Sequence, residues 1–221
     1  QMSTVDTLLL IFIVFMQNIA VYLDNYAVFY LASNHNSKKL ASAFTRKFQI
    51  EWIARGFLFF IPPLLGLLLT NDHLNLLISS LFISSIVSLF LSLIQSKGFL
   101  KRMNIRFSIP FTKSKIILAF SGILIYALYL YVPFYLNILS YYFKSQSLWI
   151  VQLSPALTAI CSIFVVYYMD PRIAKFIDTK KNKNYSVFSD LIFIRILGRI
   201  AVFVISLMCI LFLILLFHLF F

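Results

Sequence analysis

The fold is decided by residues 7–33, which read TLLLIFIVFMQNIAVYLDNYAVFYLAS. An apolar run of this length can cross the hydrocarbon core of a bilayer, which takes about 20 residues of helix. The run also contains Gln17, Asn18 and Asp24. We therefore expect a mature membrane-spanning helix here rather than a signal peptide.

The rest of the chain has the composition of an integral membrane protein. Of its 221 residues, 62% are hydrophobic and 12% are charged, and the mean hydropathy is +0.94. An ordinary soluble domain is about a quarter charged, and a soluble fold with this composition would expose large apolar patches and aggregate. These numbers exclude soluble enzymes, secreted disulfide scaffolds and disordered tails.

Six apolar segments separated by polar clusters predict an all-α polytopic protein with six transmembrane helices in a single domain over residues 1–221. The segments are 7–33, 50–70, 74–95, 116–143, 148–169 and 191–221. The second segment of each half carries proline, at Pro62–Pro63 and Pro155. An inverted 3+3 arrangement of the two halves is one interpretation, and plain proline kinks satisfied by neighbouring helices are the other.

The basic residues in the connections predict the orientation. Fifteen of them fall in the connections 33–49, 96–115 and 170–190, whereas Lys144 is alone on the other side. Because lysine and arginine are retained in cytoplasmic loops, these three connections should face the cytoplasm. Both termini should then lie on the non-cytoplasmic side.

The formal net charge of +12 suggests an anionic partner. One interpretation is that the excess only reflects the cytoplasmic lysines and arginines that set topology. No soluble basic surface exists to bind nucleic acid, and phosphorylated lipid head groups are the other interpretation. Cys161 and Cys209 lie in apolar runs without a CxxC motif, and the histidines are scattered. Neither a metal site nor a cofactor is therefore predicted. Serine elbow, HExxH and P-loop motifs are also absent from the sequence, so we do not predict an enzyme.

Charged residues inside the predicted spans are the candidate site. A charge within a span costs about 2.5–3.5 kcal/mol on insertion scales, so it needs a partner, a cavity or a route to the interface. One acid, Asp24, faces three arginines, Arg55, Arg195 and Arg199, at similar depth in the inner-leaflet half. The net positive charge favours an anionic ligand, and guanidinium groups bind phosphate oxygens bidentately. We expect these residues to line an inward-facing cationic cavity.

Structural roles for the same residues are the alternative. Glu51 and Arg55 are four residues apart on one helix and could neutralise each other. Asp24 and Arg55 could form a salt bridge between helices, and Arg195 could extend to the interface. Other polar residues could either line a hydrophilic path or bond between helices; these are Gln17, Asn18, Asn137, Gln152 and Ser154.

Two stretches resemble the Amj-type lipid II flippase family. Arg55 followed by Pro63-Leu64-Leu65-Gly66 is similar to that family's second helix. The pattern Asp170-Pro171-x-x-Ala174-x-x-x-Asp178, followed by Arg195-x-Leu197-Gly198, resembles its C-terminal region. The chain departs from the family's pattern at Phe29 and Arg199.

The resemblance implies a flippase that moves undecaprenyl-pyrophosphate-linked peptidoglycan precursor, lipid II, across the bacterial cytoplasmic membrane. Arg55, Arg195 and Arg199 would bind the pyrophosphate, with Asp24 as partner or switch. A homodimer would help six helices to enclose a large head group. Two alternatives are a membrane enzyme acting on a lipid phosphate and a transporter of another lipid-linked glycan or anionic solute.

Overall fold

The computed structural model of the chain describes residues 4–34, 40–70, 73–103, 116, 120–164, 167–168, 171 and 186–220. These residues are almost entirely helical. A π-helical segment spans Ile123–Leu128 and a 3₁₀ turn spans Lys144–Gln146. The α-helices are α1 Thr4–Ser33, α2 Leu40–Phe59, α3 Ile61–Thr70, α4 Leu74–Met103, α5 Val132–Tyr142, α6 Ser147–Phe164 and α7 Ser186–Phe220.

The structure confirms the predicted all-α class and contains helices that are apolar enough to span a membrane. Within the described residues, three segments are long and apolar enough to cross a membrane: Thr4–Leu31, Ala41–Leu69 and Leu74–Arg102. Residues 35–39, 104–115 and 172–185, which belong to the basic connections, lie outside the described residues, as do 170 and 172–178 of the DPxxAxxxD stretch. The number of crossings and the side of each terminus remain predictions.

The helix boundaries differ from the predicted spans where polar residues extend a helix or proline interrupts one. The second span begins at Leu40 instead of residue 50, and α4 continues to Met103 instead of ending at 95. α2 ends at Phe59, and Pro62 and Pro63 lie in the first turn of α3, where a missing N–H costs nothing. Pro155, in contrast, lies inside α6 without ending it.

The predicted fourth span is divided into two helical pieces. The π-helical segment is followed by a turn through Tyr129–Tyr131, and α5 begins at Val132 with Pro133 in its first turn. Proline cannot donate to the carbonyl four residues before it. Gln17, buried in α1, donates from Nε2 to the carbonyl oxygen of Leu130 at 2.9 Å. A side chain of α1 therefore supplies a hydrogen bond to the backbone where the helix is interrupted.

The bundle is organised around α1 and α4. α1 packs against α2 and α4, α4 also packs against α7, and α7 packs against the π-helical segment. α4 presents a buried row of serines, one turn apart, to this interface: Ser80, Ser84, Ser88, Ser92 and Ser96. Small side chains let helices approach closely in a membrane, and two members of this row bond to other segments, Ser92 to Asn25 of α1 and Ser88 to Tyr131.

Candidate functional site

Asp24 and Arg195 form an ion pair between the first and last helices. Arg195 Nη1 donates to Asp24 Oδ2 at 2.6 Å, and the arginine is only 3% exposed. The same nitrogen donates to Asn25 Oδ1 at 3.0 Å. Charge-assisted bonds of this kind are about twice as strong as neutral ones, so the pair fixes α7 against α1 at this depth.

Asn25 connects this ion pair to α4. Its Nδ2 donates to Ser92 Oγ and to Gln95 Oε1, each at 3.0 Å. Gln95 Nε2 in turn donates to the carbonyl oxygen of Tyr22 at 3.2 Å. A single buried amide therefore bonds to residues of both α4 and α7, and the three helices share one polar network.

Tyr126 lies beneath both arginines of α7. Its ring centroid is 4.8 Å from the Arg195 guanidinium carbon and 5.8 Å from that of Arg199. The face of an aromatic ring attracts a cation within about 6 Å. The ring therefore offsets part of the cost of burying two positive charges one turn apart.

Two glycines bring Tyr126 this close to α7. A Cβ added at Gly198 would overlap the Cβ of Tyr126, and one at Gly122 would lie 2.7 Å from the carbonyl oxygen of Ile194. Real Cβ atoms do not approach so closely, so glycine is needed on both sides of this crossing. Glycine is needed at position 198 because the neighbouring segment packs so closely there, and not because of an unusual backbone conformation.

The buried charge of Arg199 has fewer compensating contacts than that of Arg195. It is 0% exposed, and its Nε and Nη2 have no hydrogen-bond partner among the described residues. Its Nη1 is 3.5 Å from the Tyr126 carbonyl oxygen, a long and weak contact. Asp24 is bonded to Arg195, and among the described residues no acid is in contact with Arg199. The arrangement therefore has a net positive charge and unused N–H donors.

The structure does not join Arg55 to this network. Arg55 is half-buried, and its recorded contact is with the Trp52 ring, 5.5 Å from the centroid. The expected Glu51–Arg55 pair is wrong, because Glu51 forms its ion pair with Lys47 at 3.2 Å. An Asp24–Arg55 bridge is likewise wrong, since Asp24 bonds Arg195.

The uncharged polar residues do not form one continuous path. Gln17 bonds to the interrupted backbone at Leu130, while Asn18 Nδ2 bonds within α1, to the Val14 carbonyl oxygen at 2.7 Å. Gln152 is exposed on α6, whereas Ser154 is buried there. Gln17 lies beside the turn through Tyr129–Tyr131, because its side chain bonds to Leu130 of that turn.

Several residues of this site were missed by sequence reasoning. Asn25 directly follows the predicted acid, and the serines of α4 recur every fourth position; both were readable signals. Tyr126 gave no such signal, because its position depends on the π-helical segment and on the two glycines. Within the described residues, no group of three His, Cys, Asp or Glu could hold a metal ion.

Comparison with known proteins adds no relative. No protein-family model, curated protein or solved structure matches this chain. The resemblance to the Amj-type flippases therefore remains a prediction from the sequence.

Proposed function

We propose that this protein is a membrane transporter that binds the pyrophosphate of a polyprenyl-linked glycan precursor and moves its head group across the bacterial cytoplasmic membrane. One observation carries the proposal: Arg199 is fully buried, and two of its guanidinium nitrogens have no partner within the part of the chain that the structure describes. A protein that used this arginine only as a structural element would gain stability by pairing it. Unused donors on a buried cation favour an anionic ligand.

The chemistry of the cluster suits a phosphate or pyrophosphate. Guanidinium groups stay charged when water is excluded, and their planar forks match phosphate oxygens. Arg195 and Arg199 follow each other by one helical turn and lie over the same tyrosine. Two forks at this spacing would bind the two phosphoryl groups of a pyrophosphate.

Asp24 supplies a way to release the ligand. In the structure it is the ion-pair partner of Arg195. An entering anion would compete with Asp24 for that guanidinium, and the acid would take the arginine back when the anion leaves. Exchange of partners keeps Arg195 compensated in both states, and competition from Asp24 prevents permanent capture of the anion.

The predicted orientation gives the direction of transport. With the basic connections in the cytoplasm, the cluster lies in the inner-leaflet half of a six-helix domain, where a lipid-linked precursor made in the cytoplasm presents its head group. The resemblance to Amj-type flippases points to lipid II as the substrate and to bacterial cell-wall synthesis as the process. Assembly as a homodimer would enlarge the path for the head group.

Replacement of a known flippase tests the proposal. Bacteria depleted of their own lipid II flippases should grow when they express the wild-type chain, and an Arg199→Gln variant should fail to support growth. Arg46→Gln is the matched control, because Arg46 is exposed and bonds only weakly, to Gln49 at 3.4 Å; it should rescue fully.

The thermal stability of the same variants separates binding from a structural role. Since Arg199 is a buried charge with unused donors, Arg199→Gln should unfold at a temperature no lower than the wild type. Loss of rescue together with loss of the folded protein would instead indicate a structural arginine. Failure of the correctly inserted wild-type chain to rescue would reject lipid II as the substrate.

A further inference from the structure

A groove between α1 and α4 lies at the end of the bundle where both helices end. It has a volume of about 560 Å³. The α4 residues that line it share one helical face, since they are three or four positions apart; they are Gln95, Gly98, Phe99 and Arg102. The candidate membrane spans of the two helices end at Leu31 and Arg102. The groove therefore runs from inside the apolar segments to the polar boundary of the membrane.

The inner part of the groove is aromatic. The rings of Tyr22 and Tyr26 are parallel, with centroids 6.4 Å apart, and the Tyr30 ring follows at 6.1 Å from that of Tyr26. Phe29 of α1 stacks on Phe99 of α4 at 4.7 Å, which joins the two faces. Because Tyr22 and Tyr26 are 45% and 43% exposed, an apolar chain that lies along α1 can contact their rings.

Gly98 leaves the space between the two faces open. It is exposed, and a Cβ added there meets no atom within 4 Å, so a larger side chain at this position would extend into the groove. Gln95 bonds to Asn25, and one turn later Phe99 stacks on Phe29. The two helices therefore run in the same direction, and their last turns lie together at the outer end of the groove.

The outer end of the groove is polar and positively charged. Arg102 is exposed in the last turn of α4, and Ser33 and Asn34 line the groove at the end of α1. No acidic residue is among the lining residues that the structure describes. Since a guanidinium group binds phosphate oxygens with its planar fork, this end of the groove favours an anion.

We infer that the groove binds an anionic phospholipid of the bilayer, with its phosphate at Arg102 and an acyl chain along the tyrosines of α1. The groove has the polarity of such a lipid, because its cationic end lies at the membrane boundary and its aromatic part extends inward. From Ser33 to Tyr22 this part is about 16 Å long at the rise of an α-helix. Basic sites between helices at this depth are typical binding sites for anionic lipid head groups.

Two other occupants fit the groove less well. A free phosphate would contact Arg102 and leave the aromatic part unfilled. A zwitterionic lipid would bring an ammonium group, for which the described lining residues offer no acid. The inference stands apart from the proposed transport function, because it depends only on the groove and on a component of the membrane.

Native mass spectrometry of the purified full-length protein tests the inference. The detergent micelles contain equal amounts of anionic phosphatidylglycerol and zwitterionic phosphatidylcholine. The wild type should retain phosphatidylglycerol in preference to phosphatidylcholine. Arg102→Gln should lower the retention of phosphatidylglycerol by about tenfold, to that of phosphatidylcholine, because it removes the charge-assisted contact. Gly98→Leu fills the groove and should lower the retention of both lipids by about tenfold.

Two variants are matched controls. Lys101→Gln removes the neighbouring charge of the same helical turn, from a residue that is exposed but does not line the groove. Gly56→Leu adds the same side chain at a glycine whose added Cβ also meets nothing within 4 Å and which does not line the groove. Both variants should retain phosphatidylglycerol as the wild type does.

Melting temperatures give a second readout that does not depend on the gas phase. Phosphatidylglycerol should raise the melting temperature of the wild type and of Lys101→Gln but not that of Arg102→Gln, because a ligand stabilises the state that binds it. Glycerol phosphate, the head group without acyl chains, should not displace the lipid.

Three outcomes would overturn the assignment. These are equal retention of the two lipids by the wild type, the same loss in Lys101→Gln as in Arg102→Gln, and displacement of the lipid by glycerol phosphate. The last outcome would indicate a site for a soluble anion. Because none of these measurements requires transport, each outcome leaves the proposed function intact.

Discussion

Arg195 on the last helix donates a 2.6 Å hydrogen bond to Asp24 on the first, across 171 positions of sequence. This bond joins two helices that would each carry an uncompensated charge inside the membrane. Among the residues that the structure describes, the neighbouring Arg199 has no such acid in contact with it, and two of its nitrogens have no hydrogen-bond partner. The contrast between the paired and the unpaired arginine underlies the proposed mechanism.

Breaking the Asp24–Arg195 pair from the acid side should strongly destabilise the protein. Asp24→Asn leaves Arg195 buried without its counter-charge and should cost about 3–5 kcal/mol of unfolding free energy. The double variant Asp24→Asn with Arg195→Gln removes both charges and should lose less than the sum of the single losses. Equilibrium unfolding in mixed micelles measures the unfolding free energies of the wild type, the two single variants and the double variant, which together form a double-mutant cycle. Additive losses would contradict a direct pair.

Replacement of Asn25 should destabilise the protein more than replacement of Asn18, the other buried asparagine of α1. Asn25→Ala removes the amide that bonds Arg195, Ser92 and Gln95, and it should cost about 1–3 kcal/mol because buried partners lose their bonds. Asn18→Ala is the comparison, since the Asn18 amide bonds only within α1. The same unfolding experiment should show a much smaller loss for Asn18→Ala, and equal losses would count against the network.

Gly198 should not tolerate a methyl group. Gly198→Ala places a Cβ on the Cβ of Tyr126, and overpacking of this kind costs about 1–3 kcal/mol or more. Gly56→Ala adds its methyl group to open space and should be neutral or slightly stabilising, because alanine favours helix. Melting temperatures of the two variants in detergent measure the difference. A stable Gly198→Ala would contradict the close crossing.

Cysteine labelling should recover the predicted orientation. With Cys161 and Cys209 replaced by alanine, a membrane-impermeant maleimide should label Ser145→Cys in intact cells. It should label Lys97→Cys only after the cells are permeabilised, because that residue lies at the basic end of α4. Both positions are exposed in the structure. Labelling in the reverse order would show the opposite orientation, with the arginine cluster in the outer-leaflet half of the membrane.

The helical architecture was readable from the sequence because lipid imposes one requirement on every span. Backbone groups have no water to bond, so apolar runs must be helical, and residues 7–33 and 74–95 lie within α1 and α4. Boundaries were harder to predict. α2 starts at Leu40 because its polar first turns lie beyond the apolar run, and the fourth predicted span divides at a π-helical segment and turn before Pro133.

The proximity of Asp24 to the arginines of the last helix was predicted from the sequence, but the pairing was not. Asp24, Arg195 and Arg199 do lie together, as their positions along the spans predicted. Which arginine receives the acid depends on how α7 packs against its neighbours, and Gly122 and Gly198 allow its close contact with the segment that carries Tyr126. Arg55 has the same depth in sequence but contacts the ring of Trp52 instead.

The central claim is tested most directly by lipid II translocation in proteoliposomes that contain only this protein. The wild type should move a fluorescent lipid II analogue between leaflets. Arg199→Gln should slow that movement by about tenfold to a hundredfold, the effect of losing one charge-assisted contact. Arg199→Lys should fall between them, because it keeps the charge and loses the fork. Movement at the wild-type rate by correctly inserted Arg199→Gln would contradict the account.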